Sequence, residues 1–154
     1  MTDFRDLARV AGPTNERPPF TFAAAVRVAF SDTDAQSIVY YGRYAPYFDV
    51  ARVEYLRNLG LAAHDSNIDG EFVMRHFEID YHAPAMFDDL LEVFCRIERI
   101  GTSSMAFDYA TINAESGVLL ATARQVMVNV DMEARRPMAV PEHTRAKVSA
   151  FEGW

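Results

Sequence analysis

Two carboxylates, Asp32 and Asp34, lie two residues apart in a polar turn between a strand-like and a helix-like segment. The first amides of a helix have no partner within it, and they carry the positive end of the helix dipole. Such amides can hold a carbonyl oxygen and stabilise the negative charge that develops on it during acyl transfer. A neighbouring carboxylate can then attack the carbonyl carbon or activate a water molecule. The spacing is equally compatible with two aspartates that only cap a turn.

The elements on either side of this turn follow from the spacing of the apolar residues. Before the turn, apolar residues alternate with other residues, which predicts a strand over about 22–30. After it, apolar residues recur at steps of three and four and predict a helix over about 43–59. The members of that helical stripe are Tyr44, Phe48, Ala51, Tyr55 and Leu59. Pro46 is compatible with the first turn of a helix, and Gly60 is a natural end.

The rest of the chain has the two-residue period of half-buried strands. Four such runs are centred on residues 77–81, 91–97, 105–109 and 126–130, and a short helix is predicted over about 142–151. One long helix beside about five antiparallel strands predicts an α+β fold in which the sheet curls round the helix. Residues 20–154 form the predicted single domain. Residues 1–19, rich in proline and glycine after a possible short helix over 3–10, form a predicted flexible extension.

Composition and charge exclude several classes of protein. The 154 residues carry a formal net charge of −7, which gives no electrostatic reason to bind nucleic acid or an anionic membrane. The single cysteine, Cys95, is at an apolar strand position and is predicted to be a buried core residue. With no disulfide, no run of about 18 apolar residues and no leader-like start, we expect a cytoplasmic protein.

Other catalytic patterns find no support in the sequence. The four histidines have no metal-binding spacing, so no metal site is predicted. The chain has no Gly-x-Ser-x-Gly elbow, P-loop or dinucleotide fingerprint. Asp49 and Glu54 on the predicted helix are alternative catalytic acids, although Asp49 can instead pair with Arg52 one turn later.

The polar turn and the helix together resemble the 4-hydroxybenzoyl-CoA thioesterase family. The resemblance lies in Ser31-Asp32-Thr33-Asp34-Ala35, in Val39-Tyr40-Tyr41 with Tyr44, and in Phe48-Asp49-x-Ala51-Arg52. Further matches are Tyr81-His82-Ala83-Pro84-Ala85, Asp88-Asp89-x-Leu91-x-Val93, Arg136-Pro137 and Pro141-Glu142, so the resemblance spans about residues 24–150. It implies a hot-dog fold, hydrolysis of an acyl-CoA or related thioester, and no metal or organic cofactor.

The resemblance also implies roles for particular residues. The second acid of the family's Asp-x-Asp turn is its catalytic carboxylate, and Asp34 has that place. The backbone N–H at the start of the helix polarises the thioester carbonyl, and Tyr41 has that place. Around them we expect Tyr40, Tyr44, Gly42 and Ser37 to contact substrate, with the aromatic residues forming an acyl pocket or a subunit interface.

The sequence departs from the family pattern in two places. Ser37 replaces a glycine that would permit a positive φ angle, so the approach to the helix is expected to differ. Basic residues that hold the phosphates of CoA in related enzymes are missing from the segment 100–104, which has only Arg99 beside it. Arg135 and Arg136 are possible substitutes, and an acyl carrier protein is the alternative carrier.

The sequence also bears on two alternative functions and on the oligomeric state. A hot-dog hydratase or dehydratase needs an acid paired with a histidine, and the motif around Asp34 contains no histidine. A non-catalytic acyl-thioester-binding protein would not need Asp34 at all. Long strands leave unpaired edges, and the family pairs two subunits to build its sites, so we expect a homodimer or a dimer of dimers.

Overall fold

The computed structural model describes residues 11–61 and 71–154 as one antiparallel sheet with two helices. The strands are β1 (Ala11–Pro13), β2 (Phe22–Arg27), β3 (Glu71–Tyr81), β4 (Leu90–Ile100), β5 (Ser104–Asn113), β6 (Leu119–Asp131) and β7 (Arg136–Pro137). The helices are α1 (Tyr44–Asn58) and α2 (Glu142–Glu152). The spatial order is β1-β2-β4-β5-β6-β3, and β7 pairs with the end of β6.

The predicted α+β class and the long helix are confirmed, with small differences in the strands. The two strands that the sequence did not predict, β1 and β7, have three and two residues and are too short to show a period. β1 falls within the predicted extension 1–19, where it pairs with β2. The first predicted strand ends at Arg27, because a short 3-10 turn then begins at Phe30. The possible helix over 3–10 lies outside the described residues.

The core forms where α1 lies against the sheet. The predicted stripe is confirmed: its first four members, Tyr44, Phe48, Ala51 and Tyr55, are buried. The ring of Phe48 lies 4.9 Å from that of Tyr109 on β5, and the ring of Tyr55 contacts Phe22 on β2. Full burial of each large apolar side chain stabilises the fold by roughly 1.5–3 kcal/mol. Cys95 is buried in this core as predicted, and burial raises the pKa of its thiol.

The strand register defines two ends of the sheet. Arg27 at the end of β2 lies beside Leu90 at the start of β4, and Tyr81 at the end of β3 lies beside Ala121 near the start of β6. These four positions lie at one end of the sheet. The turn that contains Asp34 is attached to this end, because the Val39 N–H donates to the Ala85 carbonyl at 2.8 Å. Strand register therefore brings the end of β3 to the turn before α1.

Candidate active site

Residues 32–40 form a small hairpin between β2 and α1. Thr33 and Val39 face each other as an antiparallel bridge. On either side of the bridge, the Asp34 N–H donates to the Ile38 carbonyl at 3.0 Å and the Tyr40 N–H donates to the Asp32 carbonyl at 2.9 Å. The hairpin therefore fixes Asp34 by main-chain hydrogen bonds close to the start of α1.

Ser37 makes the tight turn at the tip of this hairpin. Its φ angle is 64°, in the left-handed region that favours glycine. Its N–H donates to the Asp34 carbonyl at 2.9 Å, and the Gln36 N–H donates to Asp34 Oδ1 at 2.8 Å. The chain thus adopts, with serine, a conformation that glycine would permit at lower steric cost. Local backbone strain at Ser37 follows, and a difference from relatives in the approach to α1 stays a prediction.

The two acids of the turn have different partners. Asp32 Oδ2 accepts hydrogen bonds from the Ala29 N–H at 2.9 Å and from the Tyr47 hydroxyl at 2.7 Å. Burial and this hydrogen bond raise the pKa of Tyr47, so its hydroxyl remains a donor. Asp34 is partly exposed, and its Oδ2 forms no hydrogen bond within the described chain. Asp32 therefore ties the turn to α1, whereas Asp34 keeps one oxygen available.

Free backbone donors lie where the helix begins. A 3-10 turn over Tyr41–Arg43 leads into α1, and the Arg43 N–H donates to the Tyr40 carbonyl at 2.8 Å. The Tyr41 and Gly42 N–H groups donate to no described residue. Unpaired amides at a helix start are suited to bind an oxyanion.

A cavity of about 430 Å³ joins these groups. It is lined by Asp34, Gln36, Ile38, Val39, Tyr41, Tyr44, Tyr81, His82, Ala83 and Pro84. Three of the residues predicted for the site, namely Asp34, Tyr41 and Tyr44, are among them. Burial raises the pKa of Tyr44, which keeps that wall of the cavity neutral. The structure therefore brings together a carboxylate, the helix start and a largely apolar wall.

The other three predicted substrate contacts lie around the cavity without lining it. Ser37 forms the turn, and the ring of Tyr40 packs on that of Tyr41 at 4.4 Å between centroids. A Cβ at Gly42 would lie 2.9 Å from the Tyr40 ring, so a larger residue here would have to displace that ring. Their geometry supports the helix start, and their contact with substrate stays a prediction.

Tyr81 and His82 enter the cavity from the end of β3. The Tyr81 hydroxyl donates to the Tyr41 carbonyl at 2.8 Å, and its ring meets Tyr44 edge-on. His82 Nε2 lies 2.9 Å from Thr122 Oγ1 on β6. Residues 81–85 match the family in sequence, but that match indicates only the topology and does not place Tyr81 or His82 in the site. The structure also corrects the argument that no histidine accompanies Asp34, because His82 lines the same cavity.

The alternative acids on α1 have other partners and do not line this cavity. Asp49 pairs with Arg52 at 2.9 Å, as the sequence predicted, and Glu54 pairs with Arg57. Arg52 also donates to Gln125 Oε1 at 2.8 Å, which links α1 to β6. Within residues 11–61 and 71–154, no group of three or more His, Cys, Asp or Glu side chains could hold a metal ion. Over the same residues, no helix is long and apolar enough to cross a membrane.

Known proteins match this chain over most of its length. The Thioesterase-like superfamily matches residues 28–148. The acyl-CoA thioester hydrolase YbgC of Escherichia coli O6:H1 is 34% identical over 122 residues, which cover 79% of this chain and 90% of that protein. The acyl-CoA thioesterase YbgC of Haemophilus influenzae is 32% identical over 127 residues, covering 81% and 92%.

Solved structures agree with the sequence relatives. A 1,4-dihydroxy-2-naphthoyl-CoA thioesterase from Synechocystis superposes with a TM-score of 0.76 at 26% identity, covering 82% of this chain and 93% of that one. This likeness confirms the fold that the sequence resemblance implied. The chain belongs to the thioesterase-like superfamily, has the hot-dog fold and is a thioester hydrolase.

Proposed function

We propose that this hydrolase acts on acyl-CoA and that Asp34 is its catalytic carboxylate. The observation that carries the proposal is the shared cavity, which holds the partly exposed Asp34 beside the unpaired amides at the start of α1. The thioester carbonyl oxygen accepts a hydrogen bond from the Tyr41 N–H, where negative charge develops during attack. Relatives named as acyl-CoA thioesterases support the carrier.

Two courses of reaction fit this geometry. In the first, Asp34 attacks the carbonyl carbon, the C–S bond breaks and a mixed anhydride forms as the thiolate leaves. Water then hydrolyses the anhydride to the free acid and restores Asp34. In the second, Asp34 takes a proton from a water molecule as its oxygen attacks the carbonyl carbon, and the C–S bond then breaks as the thiolate leaves and takes up that proton. Intact-mass measurement of rapidly quenched enzyme distinguishes them, because only the first adds the mass of the acyl group to the protein.

The arginines predicted to hold the phosphates of CoA lie at the far end of the sheet from Asp34. Arg135 lies in the turn after β6, Arg136 begins β7, and Arg145 on α2 donates to the Gly101 carbonyl after β4. This is the opposite end of an 11-residue strand from Leu90, a distance of about 30 Å. The arginines at that end are therefore far from Asp34 of the same chain.

A homodimer joined at the free edge of β3 resolves this difficulty. β3 pairs with β6 on one side, and no described strand pairs with its other edge. Val73, Met74 and Phe77 on β3 are large apolar residues that remain exposed there. A two-fold axis at this edge reverses the second sheet, which brings the arginine end of one copy beside the Asp34 end of the other. The proposed active unit is therefore a homodimer, alone or within a dimer of dimers.

A thiol-release assay tests the proposed activity. Short, long and aromatic acyl groups are offered on CoA, on pantetheine and on acyl carrier protein, with Asp34→Asn as the control for contaminating hydrolases. We expect the lowest KM on CoA, and the double variant Arg135→Ala/Arg136→Ala should raise that KM without affecting acyl-pantetheine. Equal KM values for CoA and pantetheine would refute phosphate recognition, and no thiol release from any substrate would refute the activity.

His82 gives one alternative function a structural basis. An acid and a histidine on one cavity are the groups with which hot-dog lyases hydrate an enoyl thioester. Incubation with a 2-enoyl-CoA separates the two activities, because hydration removes the conjugated absorbance without releasing thiol. We expect thiol release alone. Loss of absorbance without thiol would replace hydrolysis by hydration as the function of this site.

A further inference from the structure

Tyr81 contacts the helix start from the end of β3. It is the last residue of β3, lines the cavity and is 48% exposed. Its hydroxyl donates to the Tyr41 carbonyl at 2.8 Å across 40 residues of sequence. This is a link between the sheet and the backbone that carries the free amides.

The carbonyl that Tyr81 holds lies between the two free donors. It belongs to Tyr41, whose own N–H is unpaired, and it shares one planar peptide unit with the unpaired Gly42 N–H. A hydrogen bond to this oxygen therefore fixes the orientation of that peptide plane. Gly42 has no Cβ to restrict the backbone here, so the Tyr81 contact adds a constraint on this turn.

Tyr81 is itself held in place by the sheet and the helix. Its backbone pairs with Ala121 on β6, and its ring meets the buried ring of Tyr44 edge-on at 5.3 Å. Burial raises the pKa of Tyr81 further above neutral, so the hydroxyl remains a hydrogen-bond donor. The side chain thus links the end of β3 to the turn before α1.

We propose that Tyr81 is a positioning residue of the hydrolase: by holding the Tyr41 carbonyl it fixes the Tyr41–Gly42 peptide, so that the Gly42 N–H of this peptide and the adjacent Tyr41 N–H stay aimed at the thioester carbonyl oxygen. This inference rests on the proposed function of Asp34 and the helix start. Hydrogen-bond donors stabilise an oxyanion only when they are already aimed at it, and a misplacement of about 1 Å can cost up to 10² in rate. The role concerns the transition state, where the charge on the oxygen is largest.

The test is Tyr81→Phe, which removes the hydroxyl and keeps the ring against Tyr44. We expect kcat to fall about 10-fold while KM stays within about 2-fold, because the donor acts mainly on the developing charge. A second readout is the ¹³C chemical shift of a bound acyl-CoA ketone in which CH₂ replaces the thioester sulfur. Loss of an aimed donor should move that carbonyl signal toward its value in water.

The matched control is Tyr109→Phe. It also removes one tyrosine hydroxyl bond, the 2.7 Å bond to Gln125 Oε1, and Tyr109 does not line the cavity. We expect it to lower the Tm while leaving kcat and the ketone signal unchanged. An equal loss of kcat in both variants would mean that Tyr81 acts only through stability, which overturns the proposal.

Each remaining outcome either supports or refutes the positioning role of Tyr81. Wild-type kcat in Tyr81→Phe, or a raised KM with kcat unchanged, refutes positioning while Asp34→Asn still tests the proposed function separately. A wild-type protein that releases no thiol overturns both inferences together. Reduced kcat with a shifted ketone signal and an unchanged KM supports Tyr81 as the residue that aims the donor.

Discussion

At the scale of single residues, the two aspartates of one turn have different hydrogen-bond partners and therefore different expected roles. Asp34 accepts one side-chain hydrogen bond, on Oδ1 from the Gln36 backbone N–H. In Asp34→Asn the side-chain oxygen of asparagine can accept the same bond, while the negative charge is lost. We expect turnover to fall by roughly 10²–10⁴ with little change in Tm, because loss of a nucleophile or general base affects the reaction and not the fold. Thiol release and thermal unfolding of the same preparation measure both.

Asp32→Asn is the matched control for this substitution. Asp32 accepts two hydrogen bonds on one oxygen and lies 3.8 Å from Arg43, so losing its charge should cost about 1 kcal/mol of stability. Its turnover should remain within about 10-fold of the wild type. An inactive Asp32→Asn beside an active Asp34→Asn would show that the catalytic acids are assigned in the wrong order.

At the scale of elements, the hairpin before α1 depends on the left-handed conformation of Ser37. We expect Ser37→Gly to match or exceed the wild type in stability by up to about 1 kcal/mol, because glycine relieves the strain. Ser37→Val should lose about 1–2 kcal/mol, because a β-branched residue disfavours positive φ still more strongly. Urea unfolding measures both variants. A valine variant as stable as the wild type would refute strain at this position.

The C-terminal helix is attached to the sheet where β2 no longer covers β4. The last residue of β4 that pairs with β2 is Cys95. Two residues further along β4, the Ile97 N–H donates to Glu152 Oε1 at 3.0 Å. The Tyr55 hydroxyl donates to the same oxygen, and Thr21 donates to both oxygens of this carboxylate. Glu152 therefore links α2, α1 and two regions of the sheet.

Removal of this carboxylate should destabilise the fold without affecting the site. Glu152→Ala leaves the Tyr55 hydroxyl and the Ile97 amide without their acceptor, which should cost roughly 2–6 kcal/mol at about 1–3 kcal/mol for each buried group. Urea unfolding measures the loss. Because Glu152 does not line the cavity, kcat at 25 °C should be retained, and a proportional loss of kcat would contradict this separation.

At the scale of the whole molecule, the exposed edge of β3 governs assembly. Edge strands carry unpaired N–H and C=O groups, and Val73, Met74 and Phe77 add apolar surface to this one. We expect light scattering at micromolar concentration to give at least twice the 17.4 kDa of one chain. A mass near 17.4 kDa with full activity would refute the dimer and the shared site.

A pair of substitutions locates the interface. Met74→Asp places two like charges near the two-fold axis and should weaken the dimer at least about 10-fold. The matched control is Val118→Asp, because Val118 is also an exposed apolar residue but lies in the turn before β6. We expect that variant to keep the wild-type mass. Dissociation by Val118→Asp and not by Met74→Asp would move the interface away from β3.

The sequence by itself determined the secondary structure and the class of chemistry. The apolar stripe from Tyr44 to Tyr55 predicted α1, and alternation predicted the four long strands, because helix and strand periods are local properties of the chain. The Asp-x-Asp turn before the helix predicted the family. Strands of two or three residues, such as β1 and β7, escaped prediction because they contain no full period.

Only the tertiary structure decided which distant side chains share the cavity. Tyr81 and His82 reach the helix start through the register of β3 on β6, and a slip of one residue would turn both side chains to the opposite face. The separate partners of Asp32 and Asp34 likewise depend on how closely the hairpin approaches Tyr47. Periodicity fixes which face of an element is apolar, whereas contacts between elements depend on register and packing across many residues, which no local pattern contains.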